Sequence, residues 1–149
     1  MRRLSVPNIP AANVFDGCLA RLQKGPRSQR LTSVKANIPK IEAQYHASAG
    51  KMRLDSFSIA SSLLGSALNS DFVYLYDTHF VRKKSWGRPI YDKLKLSARG
   101  NICPYCGQLP VRTLDHYLPK DTYGALSLVA LNLIPSCHQC NMVVSRVVV

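Results

Sequence analysis

The stretch CPYCGQLPVRTLDHYLPK, residues 103–120, decides how this chain is read. Cys103 and Cys106 form a C-x-x-C pair, and Cys137 and Cys140 form a second one. Each such pair can present two thiolates from one tight turn, and zinc takes four soft ligands in a tetrahedron. Gly107 follows the first pair, where a knuckle turn needs a residue that tolerates positive φ. The spacing therefore predicts one structural metal site on Cys103, Cys106, Cys137 and Cys140. His138 lies inside the second pair and is expected to be exposed rather than a ligand. The two pairs are separated by residues 107–136, whereas a minimal zinc ribbon has roughly 15–20 residues between its pairs. Something extra is housed there, and it contains the adjacent residues Asp115 and His116.

Outward from this stretch the composition is uneven. The chain has 149 residues and a formal net charge of +12, which suggests a polyanionic partner, nucleic acid or an acidic membrane surface; a merely basic, soluble surface is the plainer alternative. Residues 1–100 hold 17 of the 20 Lys and Arg and 6 of the 8 acids, so the front supplies nearly all the attraction. The N-terminus lacks the apolar run of a signal peptide, and the most apolar stretch, residues 59–68, is too short to span a bilayer. These features predict a soluble, cytoplasmic protein. In such a setting paired C-x-x-C cysteines argue for metal rather than disulfides, and the isolated Cys18 reads as a small buried apolar residue.

Apolar spacing predicts mostly helix in the front region. Residues 11–24 place Val14, Phe15, Cys18, Leu19 and Leu22 on one face, and the GPRS that follows reads as a breaker. Residues 33–48 read as a second helix with Pro39 as a break or kink, and residues 54–80 as one or two more. The clearest helix follows Pro89, with Ile90, Leu94 and Ala98 inward and Gly100 past its end. Beyond Gly100, residues 111–118 read as a strand, residues 130–136 lead into the second pair, and a short helix begins near Cys140. The expected class is α+β: a basic, mostly helical region 1–100, then a small metal-stapled module 101–149.

The module resembles the HNH endonuclease family. The match is CPYCG, LDHYLPK, NLIPSC and the CN of Cys140-Asn141, and it covers residues 102–142. The resemblance implies a ββα-metal fold and metal-dependent hydrolysis of DNA phosphodiesters, with a structural zinc and a catalytic Mg²⁺ or Mn²⁺. By position, His116 is implied as the general base, Asp115 and Asn141 as ligands of the catalytic ion, and Asn132 as the brace of the His116 strand. DNA is the implied partner, a prokaryotic cytoplasm the implied location, and defence, restriction or a mobile element the implied role. Relatives of this kind continue past Asn141 as a longer helix, often with a Lys, and place a further ligand or basic residue near Ser145. The expectation here is a module cut short.

The chemistry of these residue types agrees with that reading. An imidazole of ordinary pKa, roughly 6.5, is a suitable base near neutrality. A carboxylate and an amide oxygen suit a hard divalent ion. Adjacent strand residues face opposite sides, so Asp115 and His116 can serve one site only if the chain bends there. Taken singly, each has a plainer reading: Asp115-His116 as a surface pair, Asn132 as a turn residue, Asn141 as a helix N-cap. Lys120, Arg82, Lys83, Lys84 and Arg88 are weaker candidates for DNA contacts, with Trp86 among them as a possible minor-groove contact; exposed solvated cations are the equal alternative. A module of the same build that binds nucleic acid without cleaving it is the alternative function. A zinc-stabilised protein-binding domain is a third.

Overall fold

The computed structural model describes residues 4–144. Ser145, singled out above, lies outside the described residues. The front is built from α1 (Ala11–Leu19), α2 (Pro26–Val34), α3 (Ile38–Gly50), the one-turn α4 (Ser61–Leu64), α5 (Asn69–Tyr76) and α6 (Arg88–Lys95). The back has β1 (Thr113–His116), β2 (Leu133–Ser136) and α7 (His138–Val144). The two strands pair antiparallel, Asp115 opposite Ile134 and His116 opposite Leu133. Helix α7 packs on β1, and α6 packs against both strands.

Two prolines correct the helix pattern expected from sequence. Pro26 opens α2 and Pro39 lies in the first turn of α3, so neither breaks a helix. A first-turn proline gives up an N–H that has no intrahelical partner, and its fixed φ suits the helix. The residues between are a 3₁₀ turn, Lys35–Asn37, rather than part of one long helix. Helix α1 ends at Leu19 instead of running to residue 24, with the Arg21 guanidinium donating to the Gly17 carbonyl at 2.9 Å. Its first N–H, on Ala11, is capped from outside by the Glu42 carboxylate of α3, 3.1 Å to each oxygen. Helix α5 runs on into a π-helical turn, Asp77–Val81. The strand expected over residues 111–118 is confined to residues 113–116.

One apolar core holds the front helices and part of the back. Phe15, Leu31, Ile41, Tyr45, Phe72, Leu75 and Phe80 are almost fully buried, and Leu114, Leu126, Val129 and Leu133 join the same cluster. Each such side chain contributes about 1.5–3 kcal/mol on leaving water. Aromatic edges order the packing: Tyr45 meets Phe57 at 5.6 Å, and Phe80 meets Tyr91 at 5.8 Å. Trp86 lies where a Cβ on Gly17 would be, and Arg21 covers its ring at 5.0 Å. Trp86 remains 37% exposed. Cys18 is fully buried, with its Sγ 3.5 Å from the His79 carbonyl, and burial pushes its thiol up to about 12.

Candidate metal centre and the cleft beside it

The sulfur atoms of Cys103, Cys106, Cys137 and Cys140 all lie within 4.8 Å of one another. A tetrahedral zinc with Zn–S of about 2.3 Å sets its sulfurs about 3.8 Å apart, so the cluster fits such an ion with little adjustment. The backbone builds both turns for it. The Gly107 N–H bonds the Cys103 carbonyl at 2.8 Å, and Gly107 has φ of 68°, which a Cβ would penalise. The Cys140 N–H points at the Cys137 sulfur, 3.4 Å away. Backbone N–H groups of Leu109 and Gln108 draw the Cys106 thiol down to about 6, favouring the thiolate that a metal takes. His138 is exposed.

Beside this cluster is a cleft of about 300 Å³. Its walls include Asp115, His116 and Asn141 from the back, and Tyr76, Asp77 and Val81 from α5 and the π-helical turn. Asp115 is 2% exposed, and the Tyr105 hydroxyl donates to its Oδ2 at 3.2 Å. Tyr105 is itself a knuckle residue, between Cys103 and Cys106. Burial, and then the Asp115 carboxylate, push its phenol well above the ordinary range, so it stays a donor. Asn141 follows the last cysteine and lies inside α7 rather than at its N-cap. Its Nδ2 is 3.5 Å from Thr113 Oγ1, which also meets the Tyr91 hydroxyl at 3.3 Å. The Tyr91 hydroxyl accepts the Leu114 N–H at 3.3 Å, so helix α6 is tied to the strand.

His116 ends β1, bends follow at residues 117 and 118, and both Asp115 and His116 line the cleft. Its Nε2 lies 3.2 Å from the Ser127 carbonyl oxygen. A carbonyl only accepts, so Nε2 carries the hydrogen and Nδ1 is the acceptor of the neutral ring. The Tyr76 ring stands edge-on to it at 4.7 Å and 66°. Packing on these sides pulls the imidazole down to about 4, and the Lys120 cation acts in the same sense against the opposing Ser127 carbonyl. At pH 7 the ring is neutral.

Asn132 is not in the cleft wall but fully buried behind it. Its Oδ1 accepts from the Leu118 N–H at 2.8 Å and from the Tyr45 hydroxyl at 3.0 Å. Its Nδ2 donates to the carbonyls of Leu118 (3.1 Å) and Leu126 (3.3 Å). One amide thus joins the chain just past His116 to helix α3 of the front. Asn69 of α5 does a similar job lower down. It accepts the Gly124 N–H at 3.0 Å and donates to the Thr122 carbonyl at 2.8 Å.

The cationic candidates divide. Lys120 lines the cleft with Nζ 2.7 Å from Asp77 Oδ1. Arg82, Lys83 and Lys84 are exposed and follow Val81 of the cleft wall. Arg88 is engaged within the fold, donating to the Val81 carbonyl at 2.6 Å and to Asp92 at 2.9 Å. Tyr76, Asp77, Tyr91, Tyr105 and Thr113 were not singled out by sequence. For Tyr105 a signal existed, its place between two ligand cysteines; for the others only the packing reveals it.

No family model matches the chain, and no solved structure matches it significantly. Among curated proteins it is similar to Protein ea31 of Escherichia phage lambda, 27% identical over 150 residues, covering 95% of this chain and 50% of that protein. It is also similar to Septu protein PtuB of Bacillus thuringiensis, 38% identical over 61 residues, covering 38% of this chain and 24% of that protein. The chain spans half or less of the length of these relatives. The α+β chain therefore carries a four-cysteine cluster positioned to bind a metal ion, and its relatives are a phage and a bacterial protein. Among the described residues no helix is long and apolar enough to cross a membrane.

Proposed function

We propose that this chain is a metal-dependent DNA endonuclease of HNH type, with a structural zinc on its four cysteines. The observation that carries the reading is that Asp115, His116 and Asn141 border one cleft next to the sulfur cluster. Asp115 and Asn141 offer the hard oxygen donors that would hold a Mg²⁺ or Mn²⁺ ion. When bound, that ion neutralises charge on the phosphate and the leaving oxygen. His116 takes the proton of the attacking water at Nδ1, because Nε2 is committed to the Ser127 carbonyl. Asn132 holds the backbone beyond His116 in place, which keeps the imidazole on the cleft. The basic front draws in the duplex by its charge, with Arg82, Lys83 and Lys84 on the phosphate backbone. The likeness to a phage protein and a bacterial protein suits a prokaryotic nuclease acting on foreign or mobile DNA.

The test is nicking of supercoiled plasmid with Mg²⁺ or Mn²⁺. His116→Ala is expected to lower the rate by at least about 100-fold with zinc content unchanged. Retained nicking in that variant would reject His116 as the base. Salt-dependent DNA binding by the wild type without cleavage under either ion would instead favour the module that only binds nucleic acid.

A further inference from the structure

We infer that Tyr105 is a positioning residue that couples the four-sulfur metal site to the catalytic-ion site, by holding one oxygen of Asp115 in place. The inference rests on the reading of Asp115 as a ligand of that ion.

Three observations carry it. Tyr105 lies between Cys103 and Cys106, so a metal on the sulfurs fixes its backbone. Its hydroxyl donates to Asp115 Oδ2 at 3.2 Å. Asp115 is 2% exposed and borders the cleft. A carboxyl group turns easily about its last torsion. A donor on one oxygen restricts that turning. Outer partners of metal ligands act in this way, orienting the ligand without touching the ion. The coupling is reciprocal by linkage: an ion on the sulfurs tightens the oxygen site, and the oxygen site stabilises the knuckle. Asn141 receives a parallel constraint from the same frame, since it directly follows the ligand Cys140.

The experiment measures Mn²⁺ affinity of the full chain by the loss of the free-ion electron paramagnetic resonance signal. It uses wild type, Tyr105→Phe and Asp115→Ala, with zinc content and melting temperature recorded for each. Tyr105→Phe keeps the ring and removes only the donor. Expected are one zinc per chain, a nearly unchanged melting temperature and Mn²⁺ binding about tenfold weaker. Nicking by this variant should then recover toward the wild-type rate as Mn²⁺ is raised. Unchanged Mn²⁺ affinity would overturn the inference, and so would loss of zinc from Tyr105→Phe, which would make the phenol part of the knuckle's own fold. Should Asp115→Ala bind Mn²⁺ as the wild type does, the ion-site reading itself fails and Tyr105 falls with it. Should Asp115→Ala lose binding while Tyr105→Phe keeps it, only the role of Tyr105 is rejected.

Discussion

Residues 11–95 and the two knuckle segments, residues 98–112 and 136–144, are held together by different forces. The helices of the front bury Phe15, Leu31, Ile41, Phe72, Leu75 and Phe80 in one core. Among the described residues, the buried Ala98, Cys103, Val111 and Cys137 of the knuckle segments do not belong to that core. Segments this short cannot bury enough surface to offset the entropy of ordering their backbone. A metal on the four thiolates would do so instead, because its binding energy is folding energy. Between the two regions lies the insert, residues 113–133, which leans on both. Leu126 and Val129 enter the front's core, Asn132 bonds Tyr45 of α3, and Asp115 bonds Tyr105 of the knuckle. The cleft forms where the two kinds of support meet.

The largest effect should come from removing the staple. Cys103→Ser is expected to lose zinc and abolish nicking while far-UV circular dichroism keeps the front's helical signal. Loss of that helical signal as well would erase the distinction between the regions. A smaller but global effect is expected from Leu126→Ala, which empties a fully buried site shared by insert and front. It should cost about 3 kcal/mol and lower the melting temperature of the whole molecule, with zinc retained. A drop confined to the knuckles would show that the insert leans on the metal alone. Asn132→Ala takes their Asn132 partner from the Leu118 N–H, the Leu118 carbonyl and the Tyr45 hydroxyl. A loss of about 2 kcal/mol in denaturant unfolding is expected, and slower nicking at full zinc occupancy.

The smallest effect lies wholly in the front and depends on pH. Asp71 is fully buried and accepts bonds from Arg30 (2.7 and 2.8 Å), Arg27 (3.3 Å) and the Leu68 N–H (3.0 Å). The Arg30 bonds come first in holding its carboxyl below the usual range, against the opposing pull of burial. Its stabilisation is complete above the unfolded carboxyl's pKa of about 3.9 and fades as pH falls through the lowered folded value. Asp71→Asn should lower the melting temperature by about 5 °C at pH 7. Melting curves of variant and wild type should converge as pH is taken below about 4.

What could be read from sequence follows the same division. The knuckles were legible because C-x-x-C spacing is itself the local geometry, and the sulfur cluster forms as that spacing implies. The helical character of the front was legible in its apolar periodicity, but its boundaries were not. Pro26 and Pro39 read as breaks, yet proline is as well suited to a first turn as it is unfit for a helix interior, and only packing decides which applies. The far wall of the cleft was hidden for a similar reason. Tyr76 and Asp77 lie on α5 and the π-helical turn, and nothing local in their sequence announces that this helix end meets His116.

Amide hydrogen exchange of the full chain, with and without a zinc chelator, tests the central claim most directly. With zinc present, residues 98–112 and 136–144 should be protected alongside the helices. On chelation those two segments should exchange freely, Asp115 and His116 should lose part of their protection, and α1, α3 and α5 should keep theirs. Uniform loss across the chain, or knuckle protection that survives removal of the metal, would contradict an account in which zinc and an apolar core divide the work.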